Sequence, residues 1–386
     1  MNFDAMRLPR AALLDALEGR IAARRAAIAE RDAAFGAGRI RVTSYMENIG
    51  WPELFGYDMN RFFTDPAFAI EQRLRQLIFW ADNVADDTLP TMTVPADVGM
   101  YFDLTLFGQR IIHTGQGVPE FAPHPLARHL SLEVIGEFDF HQTGVMPQLI
   151  ANYRRMRALV AGEYDNRLTV TFPCFHRGPL DIFVQLRGYE NFLADVAEQP
   201  ALVHAFLNFF ADARLRYARA RQAFLEEDAL PPTTFIADDW VNIPFIRPDM
   251  FHEFAAPVYR RIRAQEGPVR GFHTCGNFEA VVADLPALFP EMRCLEVSGW
   301  NDVRAVHARL DPRLAFEVHV RNAVSLSADA DEQRALLEAI AAVGRARPVA
   351  LCAQAIVKLC PTYADTLARL NRFVALAYRV FYQQGV

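Results

Sequence analysis

Apolar residues along this chain follow one period at the start and two alternating periods near the end. In residues 1–40, Leu13, Leu14, Leu17, Ile21 and Ile28 recur at helical spacing with arginines and acids between them. That spacing predicts an amphipathic helical lead-in, packed on the outside of the main body or on a partner subunit. Residues 41–150 mix short apolar segments with turn signals such as Asn48-Ile49-Gly50, and one helix is predicted over Asp65 to Trp80. From residue 167 onward, short β-rich runs appear: RLTVTFPC, PPTTFIADDW, PVRGFHTCG, MRCLEVSG, RLAFEVHV and RPVALCAQ. Between most of them lie segments of helical period, over Pro200–Glu227, Pro248–Gln265, Phe278–Leu288 and Ala330–Arg345.

Strand and helix in alternation imply parallel strands joined by crossover helices. Six strands are visible, and residues 41–150 have room for two more. No glycine-rich phosphate turn opens a first βα unit, so an α/β architecture of the closed (β/α)₈ TIM-barrel type is expected over an open doubly wound sheet. The expected organisation is an N-terminal helical extension over residues 1–40 and one barrel domain over 41–386.

Composition narrows the function. Lys+Arg number 40 against 46 Asp+Glu, for a net charge of −6, and no basic stretch supplies a nucleic-acid footprint. Charges interrupt every apolar run before the ~18 residues a membrane span needs. The opening MNFDAMRLPR has no apolar signal core, so a cytosolic protein is expected. Cysteines 174, 275, 294, 352 and 360 are an odd number. In a reducing compartment that favours metal binding or burial over a disulfide framework.

The active site of a β/α barrel lies at the C-terminal ends of its strands. Reading each strand to its end gives Cys174, Asp238 with Asp239, His273 with Cys275, Glu296, His319 and Cys352. His273-Thr274-Cys275 is the sharpest element: residues i and i+2 of a strand share a face, so imidazole and thiol can converge on one ion. Zinc accepts both, and a catalytic zinc takes three protein ligands and leaves one position open. Cys352, read as a strand end two strands further on, is the expected third ligand. Cys360, before Pro361, reads as a buried residue capping the last helix. Glu296 is expected nearer the mouth than Cys294, as an exchangeable fourth ligand or general base, and Cys294 as core. Of Asp238 and Asp239 at most one can point inward, to orient a polar group of substrate; a turn or helix-capping acid is the plainer reading. His319 and His176 are further candidates.

The run Gly271-Phe-His-Thr-Cys-Gly-Asn277, 77 residues from Cys275 to Cys352, resembles the zinc signature of the uroporphyrinogen decarboxylase superfamily, in its corrinoid-dependent, coenzyme M-type methyltransferase branch. Supporting stretches are Gly178-Pro-Leu-Asp, Leu186-Arg-Gly188, Ala237-Asp-Asp239, Arg247-Pro248-Asp249 and Pro257-Val-Tyr259-Arg-Arg261, and the likeness spans roughly residues 45–380. The resemblance implies a β/α barrel and a zinc that binds a thiol and lowers its pKa. The thiolate would then take a methyl group from a corrinoid. Together with the strand-end reading, the expected site has His273, Cys275, Cys352 and Glu296 at the metal, Glu296 and Asp239 in catalysis, and Asp238, Asn277, His319 and Cys174 toward substrate. The arginine-rich N-terminal segment of porphyrin decarboxylases is absent: the comparable Ile40-Arg-Val-Thr-Ser-Tyr-Met46 holds one arginine.

Three readings follow. The first is a zinc methyltransferase acting between a corrinoid, such as methylcobalamin, and a thiol or a methoxylated small molecule. The chain has no cobalamin module, so a corrinoid protein would be a separate partner; a homo-oligomer is compatible with the sequence. The second is a metal-free decarboxylase or lyase with Asp86 or Asp87 facing substrate. The third is a non-catalytic barrel with a structural zinc.

Overall fold

Alternation along the strands fixes which side of the sheet is core. In the computed structural model, which describes residues 1–99, 101–112, 119–227 and 234–382, β1 spans Arg41–Met46, β2 Thr93–Pro95, and β3 and β4 (Ile111–Ile112 and Glu120–Phe121) form a small antiparallel hairpin. β5 (Thr169–Thr171), β6 (Thr234–Ala237), β7 (Val269–His273), β8 (Cys294–Val297), β9 (Ala315–Val320) and β10 (Val349–Ile356) follow. Leu295 lies opposite Phe316 and Val297 opposite Val318, and the row continues through Leu351 to Val42. These six side chains are buried against the helices that surround the strands. The alternate row holds polar groups: Glu296 opposite Glu317, and His319 opposite Cys352, itself opposite Thr43. The apolar core therefore sits between strands and helices, and the chemistry lies on the inner face.

The two strands hidden in the first half are β1 and β2, and they close the ring. β8, β9, β10 and β1 form one parallel ladder, β2 pairs with β5, and β6 with β7. A parallel bridge joins Arg177 to Ala237. The Asp87 amide donates to the Val42 carbonyl at 2.7 Å, which ties β1 to the segment leading into β2. β7 lies alongside β8, and the loops beyond them are joined where Ser298 Oγ donates to the Gly276 carbonyl at 2.6 Å. Eight parallel strands thus make a (β/α)₈ barrel.

The helical lead-in forms over Leu13–Phe35, and its predicted apolar stripe is buried against the helix Pro66–Asn83. That second helix starts where the sequence dictates: Asp65 accepts from the Phe68 amide, and Pro66 occupies the first turn, where no donor is needed. Arg24, on the lead-in helix, spends its guanidinium on the carbonyls of Ala81, Val84 and Asp86, so the extension is fastened to the barrel's exterior. The helix expected over Phe278–Leu288 is instead a turn, a 3₁₀ segment Val282–Asp284 and one short turn of helix Leu285–Leu288. The first residues of the PPTTFIADDW strand, 231–233, lie outside the described residues. Among the described residues no helix is long and apolar enough to cross a membrane.

Candidate active site

β7 ends on His273, and the chain then folds tightly over the mouth. Thr274 Oγ1 donates to the Val241 carbonyl at 2.9 Å, and the Asn277 amide donates to Asn242 Oδ1 at 3.0 Å, so the loops after β6 and β7 are joined. Gly276 is required between them: a Cβ there would stand 2.3 Å from the Asn242 side chain. The result holds Cys275 open to solvent at the lip, directly above His273.

His273 is the hub. Its Nε2 lies 3.2 Å from Cys275 Sγ and 3.4 Å from Asp239 Oδ1, while its Nδ1 contacts Glu296 Oε2. Asp239, His273 and Cys275 bring one donor atom each within 4.8 Å of one another. An ion with ligands at about 2.0–2.3 Å in tetrahedral array sets those ligands about 3.3–3.8 Å apart, close to the spacing found here. Burial disfavours the imidazolium, but contacts to Asp239, Cys275 and Glu296 outweigh it and push the His273 pKa up to about 12. Burial alone would raise Asp239; the His273 contact and the Cys275 amide, which donates at 2.9 Å, hold it below the usual carboxylate range. The Cys275 thiol is raised by loss of solvation against its neighbours and by Asp239, against the opposing hydrogen bond to His273.

Glu296 stands one strand over, on the opposite ring nitrogen from Cys275. The same Oε2 lies 3.7 Å from Nδ1 of His319, whose Nε2 meets Glu317 Oε1 at 3.0 Å. Cys352 joins Glu317 and His319 in a second group of donors within 4.8 Å. Two expectations about Cys352 are corrected here. It sits in the middle of β10 rather than at its end, and β10 is three strands from β7, not two. Glu296 and His319 fill the intervening strands, which is why Cys352 groups first with His319. Burial, and then Glu317, Asp86 and Glu296, push its thiol up to about 12. Cys352 is buried whereas Cys275 is exposed at the lip; on β1, burial and then the Cys352 thiol raise the pKa of Tyr45.

The remaining candidates are placed elsewhere. Asp238 is fully buried; it accepts from Tyr259 Oη at 2.9 Å and from the Leu180 amide at 3.3 Å, so it anchors the helix Pro179–Arg187 instead of facing substrate. Asn277 spends its amide on the Trp300 carbonyl at 3.1 Å and on the Glu279 amide at 3.0 Å. Cys174 lies beyond β5, which ends at Thr171, and lines a cavity of about 230 Å³ with His176, Arg214, Arg221 and Glu266, not the His273 funnel. Cys294, expected in the core, is exposed on the inner face. Cys360 is buried just before the final helix, Tyr363–Tyr382. Asp87 pairs with Arg39 and Arg31 toward the N-terminal helix, and Asp86, fully buried, accepts from Ser44 and Thr88. Sequence reasoning missed Glu317, although its position two residues before His319 on one strand is the same i, i+2 signal that marks His273 and Cys275.

Comparison with known proteins agrees with this architecture. A solved structure of a methyltransferase from Methanosarcina mazei is similar over 88% of this chain and 94% of its own, with a TM-score of 0.59 at 16% identity; at that distance the likeness speaks for the fold. No curated protein matches the chain. The family model described as uroporphyrinogen decarboxylase (URO-D) matches residues 97–325, from just past β2 through β9 and the helix turn behind it. The chain belongs to the uroporphyrinogen decarboxylase family.

Proposed function

We propose that this protein is a zinc-dependent methyltransferase. It moves a methyl group between a corrinoid, either free methylcobalamin or one carried by a separate protein, and a zinc-activated thiol or a methoxylated small molecule. The observation that carries this reading is His273 Nε2 set 3.2 Å from Cys275 Sγ, with its other nitrogen held by Glu296. A carboxylate on the far nitrogen of an imidazole is how metal-binding histidines are oriented. His273 and Cys275 would hold the ion and Cys352 would complete the set from β10. Glu296, already against the His273 ring, is proposed to exchange into the fourth position when no substrate is present. Bound zinc would supply the positive charge that keeps a substrate thiol ionised at neutral pH. Asp239, ionised at the lip, is proposed to orient a polar group of the substrate. The substrate sulfur, freed of its proton, would then accept the methyl group.

The methyltransferase among the structural neighbours supports the choice of branch. The metal-free decarboxylase has less support, because Asp86 and Asp87 are both committed to buried contacts. Metal analysis of the purified chain, combined with demethylation of methylcobalamin against a panel of thiols, tests the reading. One equivalent of zinc and thiol-dependent demethylation are expected; a metal-free chain inert toward every thiol and methoxylated compound would remove it.

A further inference from the structure

Arg321 follows β9 directly, two positions past His319, and so leaves the barrel at the mouth. Its guanidinium carbon lies 4.3 Å from the centre of the Trp300 ring, in the loop after β8. Trp300 is 60% exposed, and its carbonyl accepts from Asn277, two residues beyond Cys275. The stem of Arg321 runs where Gly299 makes room: a Cβ there would meet Arg321 Cγ at 2.7 Å. Arg321 Nε is buried without a hydrogen-bond partner, and among the described residues no hydrogen bond or ion pair reaches the guanidinium. Arg177 and Arg187, by contrast, are each paired with buried aspartates: Asp103 and Asp181 for the first, Asp195 for the second.

We propose that Arg321, stacked on Trp300, is the subsite for a carboxylate group of the small molecule that binds at this mouth. The stack and the close-fitting Gly299 fix the guanidinium plane while leaving its donors unspent. A guanidinium fork matches the two oxygens of a carboxylate in one plane. Among the described residues no other Lys or Arg lies over the Trp300 ring, so this single fork suits one planar monoanionic group better than a phosphate. The thiol–imidazole pair is flanked by Asp239 and Glu296, which repel an anion. A molecule with one carboxylate end would therefore be held by that end at Arg321, its other end turned toward Cys275 and His273. The inference rests on the proposed function only in placing the substrate at this mouth.

The test is equilibrium binding to the full chain, by calorimetry, of matched pairs: benzoate against benzamide, and 3-mercaptopropionate against its amide. Each carboxylate should bind about tenfold tighter than its neutral isostere or better, the scale of a charge-assisted pair. Arg321→Gln should abolish that difference, Arg321→Lys should restore part of it, and Trp300→Phe should keep most of it. Thermal melting confirms that each variant is folded. Equal binding of acid and amide, no binding of either at millimolar concentration, or a preference that survives Arg321→Gln would each overturn the proposal. The titration reads neither zinc nor methyl transfer, so failure here leaves the proposed function standing, and a chain without metal could still satisfy it.

Discussion

Two arcs of this barrel are built by different means. β8, β9, β10 and β1 share one continuous backbone ladder, and their inner faces carry Glu296, Glu317, His319, Cys352 and Tyr45. β2, β5 and β6 pair only in twos, and between β5 and β6 a single bridge remains. Side chains fill that gap. Arg214, almost fully buried, donates to the carbonyls of Arg177 at 2.6 Å and Phe235 at 3.1 Å while paired with Glu266 at 3.1 Å. Arg177 in turn lies 2.5 Å from Asp181 and 3.1 Å from Asp103. Where backbone bonds hold the strands, reactive side chains are left free for the funnel. Where they do not, the charges are consumed in holding the wall. His273 ends β7 and Cys275 lies in the loop just beyond it, where the two arcs meet.

The sharpest way to break this comparison is to remove a donor from the free arc's edge. Cys275→Ala and His273→Ala should each lose the bound metal and lower methyl transfer by about a thousandfold or more, with melting of the metal-free proteins little changed. Elemental analysis after gel filtration checks this, and stoichiometric zinc in the Cys275→Ala protein would refute the ligand assignment. Arg214→Met probes the other arc. It keeps the buried stem but strips Glu266 and two carbonyls of their donor, so unfolding in urea should show a loss of about 3–5 kcal/mol, the scale for a broken buried pair. A loss below ~1 kcal/mol would mean that the wall does not depend on that arginine.

The same division explains what was legible in the sequence. The ladder strands declare themselves by period two, and that period also places Glu296, His319 and Cys352 on the inner face. β2, three residues long, has no room for a period, and Cys174 is no strand end because β5 stops at Thr171, leaving Cys174 to line the cavity with His176, Arg214, Arg221 and Glu266. Cys294 was assigned to the core because interiors are usually apolar; here the core lies outside the strands and the inner face is polar. Asp238 and Asp239 are adjacent and chemically alike, and only the packing of Tyr259 and Leu180 around the first decides which of them faces the funnel. Arg321 and Trp300 meet across two loops, and no spacing along the chain announces such a pair.

Proton linkage sharpens the reading of the join. Without metal, His273 titrates near 12 and Cys275 above the usual thiol range, so both hold protons at neutral pH. Binding must displace them, and apparent zinc affinity should therefore rise with pH. The gain should be about tenfold per unit for each proton released, and about a thousandfold if the Cys352 thiol, pushed up to about 12, gives up its proton along with the other two. Chelator competition between pH 6.5 and 8.5 measures the slope, and a flat profile would mean that neither group is a ligand.

The smallest of these effects concerns Glu296, which could act on the metal in two ways. Its carboxylate lies against His273 Nδ1, whereas Cys275 and Asp239 face Nε2. If His273 binds metal through Nε2, Glu296 acts through the ring, fixing its tautomer and raising its basicity. Glu296→Gln keeps the shape of that contact but replaces the carboxylate with a neutral amide. The variant should retain one zinc per chain and bind it about 10–100-fold more weakly, the range for loss of a carboxylate behind a metal-binding histidine. If instead Glu296 occupies the resting fourth position, the loss of an oxygen ligand at about 2.0–2.2 Å should also appear in the X-ray absorption of the zinc. His319→Gln separates the two further. His319 touches Glu296 only at 3.7 Å and has no contact with Cys275 among the described hydrogen bonds, so it should weaken zinc less than Glu296→Gln does. An equal or larger loss would move the metal inward, toward the group formed by Glu317, His319 and Cys352, and away from the lip where Cys275 stands.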